Sequence, residues 1–253
     1  MATDPMSGRF YHPEASLGRR VRLAHNEGHH LATVMRARIG DVVTLFDGQG
    51  HEFDARVTGL FKGTVELEVV AQRAVSRELP WPVALAVALP KGERQKWLVE
   101  KATELGVQRV IPLRTERGVA QPGAEAIARL RRVVIEASKQ CGRNHLMQVE
   151  EPRPCTDFFG TEDARGQRWL ADPSGRPLAE AARQACGPVC CAVGPEGGFT
   201  EAERAAALAA GWEAVSLGPR ILRVETAAIA LAAYFSLWQG GSPAAAQAPD
   251  APG

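Results

Sequence analysis

The stretch VCCAVGPEGGF, residues 189–199, places a glycine-rich loop directly after an apolar run of strand length. Residues 217–226, LGPRILRVET, repeat this arrangement after the apolar run 214–217. Uninterrupted apolar runs are typical of strands covered on both faces of a parallel sheet. Between the two runs, Thr200 and Glu203 predict a capping box at the start of a helix. The unit therefore predicts an α/β fold with both loops at the carboxyl ends of strands, where open sheets bind ligands.

The two loops differ from known phosphate-binding loops. Neither contains the GxGxxG or the GxxxxGK[ST] pattern, and Glu196 would repel a phosphate. Their glycines expose backbone N–H and C=O groups, which suit a flat base read by main-chain hydrogen bonds. A tight turn without a ligand is the alternative for either loop alone. A third apolar run, 169–171, ends in the loop 172–175, and three such loops at one sheet edge favour a binding site.

Other elements of the α/β part are predicted from hydrophobic periodicity. The apolar run 83–89, a helix over 93–105 and a strand over 107–113 form one βαβ unit. A second helix is predicted over 124–140. Its inward residues are Ile127, Leu130, Val134 and Ala137. The last helix, 226–238, is apolar almost all round, which predicts burial in this chain or against a partner chain.

The first part of the chain predicts a small β domain of a kind that often recognises nucleic acid. The sequence DGQG at 47–50 indicates a hairpin turn, and residues 64–69 alternate between apolar and polar, so that one face is buried. A proline-rich segment separates this domain from the α/β part. The predicted division is a disordered N-terminus at 1–8, a β domain at 9–75, a linker at 76–82, an α/β domain at 83–240 and a disordered tail at 241–253.

Composition is ordinary for a soluble globular protein, with 45% hydrophobic and 23% charged residues in 253. The sequence has no apolar run of transmembrane length, and its N-terminus lacks the basic-then-apolar pattern of a signal peptide. Both observations predict a cytoplasmic protein that does not associate with a membrane. The five cysteines are an odd number and form no Cys-x-x-Cys pair. Neither a disulfide framework nor a bound metal is therefore expected.

The formal net charge of +1 argues against a protein that coats nucleic acid through bulk charge. Basic residues nevertheless cluster locally. Residues 129–143 carry five basic side chains against the single acid Glu136, and the first forty residues carry six arginines. Codon bias explains most of the general excess of arginine over lysine but not this clustering.

The two C-terminal loop motifs closely resemble those of the SPOUT, or trefoil-knotted, methyltransferases. More narrowly, they resemble the ribosomal small-subunit (16S) RNA uridine-N3 methyltransferases. Segments that share this resemblance lie at 91–94, 101–106, 115–117 and 136–143. Residues 9–10, 29–31 and 36–40 fall where that family has its RNA-binding, PUA-like domain. The resemblance covers about residues 9 to 240, and it departs most in the stretch that begins at Asn144, before the three loops, from which no residue is carried over.

This resemblance implies a SPOUT α/β trefoil-knot methyltransferase domain preceded by a small PUA-like β-barrel domain. It also implies a homodimer with active sites at the interface and a small ribosomal subunit as partner. S-adenosylmethionine would bind in the knot formed by the three loops. The implied cofactor-binding residues are Leu170, Ala171, Val193, Gly194, Glu196, Gly197, Gly198, Leu217, Gly218, Ile221, Leu222 and Arg223.

Methyl transfer to uracil N3 requires loss of the N3 proton and stabilisation of the charge that develops on O2 and O4. Arg223 and Arg220 are the candidate cations, and Glu225 or Glu196 is the candidate base. The alternative for Glu225 is a cap of the last helix. The candidate RNA-binding residues are Arg9, Arg22, Arg36, Arg38, Lys91, Arg94, Arg117, Arg132 and Arg143. For any one of them, the alternative to an RNA contact is a position on a solvent-exposed helix face.

Two other functions are compatible with the sequence. One is a related knotted methyltransferase that acts on transfer RNA, which the arginines of the N-terminal domain disfavour. The other is an RNA-binding assembly protein without turnover. That function predicts a damaged cofactor loop, whereas its glycines and Arg223 are all present.

Overall fold

A computed structural model describes residues 8–161, 166–184 and 187–237. Contacts divide the chain into two units, one made of residues 1–78 and 135–146 and the other of 79–134 and 147–253. No helix in the described ranges combines the length and the apolarity that crossing a membrane requires. Nor do these ranges bring three or more His, Cys, Asp or Glu side chains together in a group that could hold a metal ion.

The first unit is built on a five-stranded sheet with the order β1-β3-β4-β5-β2. Its strands are β1 (Arg9–Tyr11), β2 (Arg20–Leu23), β3 (Val42–Phe46), β4 (Glu52–Phe61) and β5 (Thr64–Arg73). Helix α1 (His25–His29) continues into a wider π-helical turn, His30–Val34. β3 and β4 are antiparallel around the predicted turn, where Gly48 and Gly50 adopt positive φ angles. The alternation predicted over 64–69 is confirmed, because Val65, Leu67 and Val69 are buried in the core.

The second unit is a parallel α/β sheet with the order β12-β10-β11-β6-β7-β8, and β9 also pairs with β7. Its strands are β6 (Val83–Val87), β7 (Arg109–Arg114), β8 (Gln148–Val149), β9 (Arg153–Pro154), β10 (Gln167–Pro177), β11 (Val189–Val193) and β12 (Glu213–Ser216). Every β11 residue is buried, as expected for a central parallel strand covered on both faces. Segment 172–175 within β10 and the loops that follow β11 and β12 therefore lie at one edge of the sheet.

The helices of the second unit cover this sheet. They are α2 (Glu93–Glu104), α4 (Cys155–Phe159), α5 (Leu178–Ala181), α6 (Glu201–Ala209) and α7 (Val224–Leu237), and a 3-10 turn spans Ala182–Gln184. Helix α3 (Ala124–Cys141) belongs to this unit up to Val134 and groups with the first unit from Ile135 onward. The four residues predicted to face inward on α3 are buried. α7 packs against α2, β6 and β11, and its Leu231 and Phe235 are buried, but Leu237 is 77% exposed. Burial of α7 within this chain is therefore one-sided, and Trp238 lies outside the described residues.

The segment 172–175 was predicted as a loop after a short strand, and this is only partly right. β10 continues to Pro177, but its pairing with β12 jumps from Ala171 to Arg176, both opposite Val215. The four residues between them therefore form a wide bulge. Gly175 lies so close to β12 that a Cβ atom there would be 2.5 Å from the Val215 nitrogen.

Helix α4 was not predicted, because five residues are too few to show a helical period. Its position is set by tertiary packing: Phe158 and Phe159 lie with ring centroids 5.8 Å and 5.2 Å from that of Trp212. The predictions of disorder for 1–8 and 241–253 fall outside the described residues, except that the Gly8 carbonyl accepts a hydrogen bond from the Thr44 N–H. The predicted domain boundaries stay a prediction. By contact, residues 135–146 group with residues 1–78 and not with the rest of the α/β part.

Candidate functional site

Three loops at the carboxyl edge of the parallel sheet enclose a cavity of about 330 Å³. The bulge of β10, the glycine-rich loop after β11 and the loop between β12 and α7 each supply part of its wall. The lining residues are Ala171, Asp172, Pro173, Val193, Gly194, Pro195, Glu196, Gly197, Gly198, Phe199, Leu217, Gly218, Arg220, Ile221, Leu222, Val224 and Ala227. The convergence of three loops that the sequence predicts is thus present.

Glycine is required at two points of this wall. Gly198 adopts a φ of +68° and closes a tight turn by donating its N–H to the Pro195 carbonyl at 2.8 Å. Gly218 adopts a φ of +108° in the loop between β12 and α7. Side chains are disfavoured at both φ values, so the backbone itself forms this part of the cavity surface.

The glycine-rich loop is anchored at its end by the predicted capping box. The Thr200 Oγ1 accepts from the Glu203 N–H at 3.3 Å, and the Glu203 carboxylate accepts from the Thr200 N–H at 2.8 Å. Glu203 also accepts from the Glu116 N–H at 2.8 Å and from the Cys155 Sγ at 3.2 Å. Burial, followed by the hydrogen bond to Glu203, raises the pKa of Cys155 to about 12, so that its thiol stays protonated and can donate.

Glu203 itself stays ionised. Burial raises the pKa of its carboxyl, but hydrogen bonds from the Thr200 and Glu116 backbone N–H groups outweigh this effect. The net pKa lies below the ordinary value of 4.5. A buried carboxylate that accepts several N–H donors is a strong local anchor, because each bond is charge-assisted.

The bulge of β10 is fixed by Asp172. Its Oδ1 accepts from the N–H and the Oγ of Ser174, each at 2.7 Å, and its Oδ2 accepts from the Arg204 Nε at 2.7 Å. Burial raises the pKa of Asp172, but the bonds from Ser174 and Arg204 together bring it below the ordinary value. The bulge is therefore tied to helix α6, which begins where the glycine-rich loop ends.

The candidate base and cations lie at different depths. Glu225 is 7% exposed, and its Oε2 is buried with no hydrogen-bond partner among the described residues. The Arg94 Nη1 lies 3.6 Å from the Glu225 Oε1 and 3.3 Å from the Glu196 Oε1. One guanidinium therefore links the glycine-rich loop to α7. Arg220 and Arg223 are exposed, and Arg220 lines the cavity.

Ten of the twelve predicted cofactor-binding residues line the cavity. The other two are Leu170, which is fully buried in β10, and Arg223, whose side chain is exposed outside the lining. Asp172, which follows the predicted Leu170 and Ala171, also lines the cavity, whereas Pro173, Pro195, Phe199, Val224 and Ala227 line it without having been predicted. Asp172 and Pro173 were within reach of sequence reasoning, because they open the third loop that the strand pattern indicated.

The nine predicted RNA-binding residues divide into three groups. Arg22, Arg36, Arg38, Lys91, Arg117 and Arg132 are exposed. Arg94 is half-buried beside Glu196 and Glu225. Arg9 and Arg143 are held in buried networks, which gives them a structural role that the sequence prediction missed. Arg9 bonds Glu52, the Asn144 Oδ1 at 2.7 Å and the Arg143 carbonyl at 3.2 Å, while the Arg143 Nε donates to Glu78 at 3.0 Å. Those acids are distant in sequence, so only the fold reveals the pairing.

The Glu52 carboxylate in this network predicts a pH-dependent stability. Burial raises its pKa, but the hydrogen bond and charge of Arg9, with the charges of Arg73 and Arg77, bring it below 4.5. A carboxyl with a lowered pKa in the folded state stabilises the fold above its ordinary pKa and loses this contribution as the pH falls below it. The difference in free energy of unfolding between the wild type and Glu52→Gln should therefore be largest near neutral pH and shrink in acid. Urea unfolding between about pH 7 and pH 3 measures it.

The matched control for this measurement is Glu201→Gln, since Glu201 has a side chain 88% exposed. Its effect on the free energy of unfolding should be small at every pH in the series. A difference for Glu52→Gln that stays constant from neutral to acid pH would contradict the prediction.

An RNA methyltransferase domain family matches residues 77–236, and an RNA methyltransferase PUA domain family matches residues 24–70. A Synechocystis protein named ribosomal RNA small subunit methyltransferase E is 37% identical over 234 residues, which are 89% of this chain and 76% of the relative.

Two solved structures are similar over nearly the whole chain. A ribosomal RNA small subunit methyltransferase E from Neisseria gonorrhoeae, described as bound to S-adenosyl methionine, is 35% identical with a TM-score of 0.83 and covers 91% of this chain and 98% of its own. A putative methyltransferase from Legionella pneumophila, described as a complex with the cofactor SAM, is 31% identical with a TM-score of 0.81. The match covers 90% of this chain and 96% of the Legionella chain.

These matches confirm the predicted fold class, a SPOUT α/β trefoil-knot domain preceded by a PUA-like β domain. The match to the methyltransferase domain extends over more than half of the sequence and includes all three loops that line the cavity. The chain belongs to the family of RNA methyltransferases that includes the ribosomal RNA small subunit methyltransferases E.

Proposed function

We propose that this protein is a cytoplasmic, S-adenosylmethionine-dependent methyltransferase that methylates N3 of a uridine in 16S ribosomal RNA within the assembled small subunit. The observation that carries the proposal is the three-loop cavity, which is lined by ten residues that the family resemblance assigns to the cofactor. Relatives with 35% and 31% identity are described as bound to the same cofactor. The names of the relatives support the small-subunit RNA as substrate.

The residues of the cavity fit S-adenosylmethionine. A volume of about 330 Å³ is at the lower end of the range for small-molecule sites. Val193, Phe199, Ile221 and Leu222 give the wall apolar surface, and the glycines leave main-chain groups open. The Glu196 carboxylate, which disfavours a phosphate ligand, suits one that carries an ammonium and a sulfonium cation.

When bound, S-adenosylmethionine supplies a methyl group activated by its sulfonium. The protein must then remove the N3 proton of uracil and stabilise the charge on O2 and O4. Glu225 is the proposed proton acceptor, because its Oε2 has no hydrogen-bond partner among the described residues and Arg94 lies beside the other oxygen. Arg223 is the cation for the developing charge, since it is exposed in the loop between β12 and α7.

The base assignment predicts the behaviour of Glu225→Gln. Methyl transfer should fall by about 10²- to 10⁴-fold, the usual contribution of a general base, because the amide cannot take the proton. Affinity for S-adenosylmethionine and the melting temperature should change little, since glutamine keeps the shape and one acceptor oxygen. Single-turnover methyl transfer, calorimetric titration of the cofactor and thermal unfolding measure the three quantities.

The alternative for Glu225 is a purely structural role at the start of α7. In that case Glu225→Gln would lower the melting temperature while leaving the rate per folded molecule near that of the wild type. Glu201→Gln is the control, because Glu201 occupies the first turn of α6 and its side chain is 88% exposed.

A homodimer is part of the proposal. Trp97 on α2 and Leu237 on α7 are 45% and 77% exposed, although these two helices pack against each other. Large apolar side chains exposed on neighbouring helices suit an interface between two copies. Light scattering on the purified full-length chain should give twice the monomer mass of 27.2 kDa, and a single-chain mass would refute the dimer.

The activity is tested by incubation of the protein with labelled S-adenosylmethionine and either small ribosomal subunits, their naked RNA or transfer RNA. Nucleosides are then released by digestion and identified by mass. Label in 3-methyluridine from the subunits is expected, with less label from naked RNA. Label in transfer RNA alone, or in a different nucleoside, would overturn the assigned substrate or position.

A further inference from the structure

Glu203 makes more contacts than a capping box needs. A surface capping box requires one bond from the N-cap N–H to the carboxylate, and the Thr200–Glu203 pair supplies it. Glu203 is only 6% exposed, however, and its Oε1 accepts two further hydrogen bonds from outside α6. These come from the Glu116 N–H and the Cys155 thiol, at 2.8 and 3.2 Å. The carboxylate therefore joins three segments that are separate in sequence.

The contact with Glu116 spans the sheet. Glu116 follows β7, whereas the glycine-rich loop follows β11, and β6 lies between these two strands. Neighbouring strands are about 4.8 Å apart, so the segment after β7 has to reach about 10 Å to meet the loop. It does so as a tight turn, closed by the Gly118 N–H on the Thr115 carbonyl at 3.1 Å.

A second tie joins the same turn to the same loop. The Arg117 Nη1 donates to the Gly197 carbonyl at 2.7 Å. The packing is close, because a Cβ atom at Gly197 would lie 3.3 Å from the Arg117 Cδ. Gly197 lines the cavity, so this bond holds a lining residue directly, while Glu203 holds the end of the loop.

We propose that the turn 115–118, through Arg117 and Glu203, is a clasp that holds the glycine-rich loop in the conformation that binds S-adenosylmethionine. This inference rests on the proposed function. Both side chains are positioning residues, because they act through the backbone of the loop. Without the clasp the loop populates other conformations, and the affinity for the cofactor falls in proportion to the fraction that remains competent.

The clasp gives Arg117 a role that differs from the RNA contact that the sequence suggests. An arginine that only holds RNA affects binding and turnover of the RNA but leaves the affinity for free cofactor unchanged. An arginine that holds the cofactor loop affects that affinity when no RNA is present. Titration of S-adenosylmethionine into the RNA-free protein therefore separates the two roles.

The test uses calorimetric titration of S-adenosylmethionine into the full-length protein and two variants, Arg117→Ala and Glu203→Gln. Each removes charge-assisted hydrogen bonds to the loop or its anchor, so Kd should rise about tenfold or more. The matched controls are Arg183→Ala, an exposed arginine of the 3-10 turn, and Glu201→Gln, on the same helical turn as Glu203. Both controls should bind within about twofold of the wild type.

Two further readouts distinguish positioning from general destabilisation. Arg117→Lys keeps one donor and should restore part of the affinity that Arg117→Ala loses. In steady state, Arg117→Ala should raise KM for S-adenosylmethionine while kcat at saturating cofactor stays near that of the wild type. Since Arg117 is exposed, this variant is expected to fold even if Glu203→Gln does not.

Wild-type affinity in Arg117→Ala would overturn the clasp, as would a loss of kcat or of RNA binding at unchanged cofactor affinity. A wild-type protein that binds no S-adenosylmethionine would instead refute the proposed function, and the clasp with it. A raised Kd in Arg117→Ala, together with partial recovery of the affinity in Arg117→Lys, supports the clasp.

Discussion

Replacement of Arg223 by alanine is expected to reduce methyl transfer by about 10²- to 10³-fold, which is the usual cost of removing one group that stabilises a developing oxyanion. Arg223 stands between the cavity-lining residues Leu222 and Val224, and its side chain is exposed. Its carbonyl accepts the Ala227 N–H at 2.9 Å, a backbone bond that alanine keeps, so the start of α7 should be unchanged. Affinity for S-adenosylmethionine should therefore stay within a few-fold of the wild type.

Calorimetric titration and single-turnover transfer to small subunits measure the two effects separately. Arg183→Ala is the control, because Arg183 is exposed and lies outside the cavity lining. Arg220→Ala, which changes a lining residue, should weaken cofactor binding more than Arg223→Ala does. Unchanged transfer in Arg223→Ala would exclude the arginine from catalysis, and an equal loss of cofactor affinity would make it a binding residue.

The cavity was predictable because its determinants are local. Apolar runs at 189–193 and 214–217 fix two strand ends on either side of β10, and glycines such as Gly198 and Gly218 mark loops with positive φ angles. Thr200 and Glu203 are three residues apart, so the capping box could also be read directly. Features set within a few residues of each other are recoverable from a single sequence.

The remaining features depend on pairs of residues that are distant in the sequence. Glu116 and Glu203 are 87 residues apart, and Arg117 and Gly197 are 80 apart. A basic residue beside a glycine loop suggests contact with RNA, but its actual partner is a carbonyl that only the strand order places next to it. Arg9 is a similar case, since Glu52 lies 43 residues away. Charge clustering alone does not distinguish an arginine that contacts RNA from one that is paired within the fold.

The β10 bulge combines both kinds of determinant. The bond from the Ser174 N–H to Asp172 is local and typical of an Asp that opens a turn. The return of the chain to Val215 is not local, because it requires β12 to lie beside β10. A three-residue strand followed by a loop was the natural prediction, and the structure extends the strand beyond it.

The same bulge carries the second large effect: Gly175→Ala should destabilise the fold and weaken cofactor binding together. A Cβ atom at Gly175 would lie 2.5 Å from the Ala214 carbonyl carbon and the Val215 nitrogen, both backbone atoms of β12 that cannot rotate away. Gly175 does not adopt a positive φ, so the cost is steric overlap alone. Overpacking of this kind costs about 1–3 kcal/mol, which urea unfolding would detect.

The displaced bulge would also move Asp172 and Pro173, which line the cavity, so the affinity for S-adenosylmethionine should fall about tenfold or more. Gly123→Ala is the matched control, because no heavy atom of the described residues lies within 4 Å of its Cβ position and its φ is not positive. The reduced backbone freedom of the unfolded chain favours that variant, whereas alanine is a poorer residue than glycine at the position before α3, so its stability should stay within about 1 kcal/mol of the wild type. A Gly175→Ala protein as stable as the wild type would mean that β10 and β12 can separate at the bulge, and a destabilised protein with normal affinity would mean that the bulge does not shape the cofactor site.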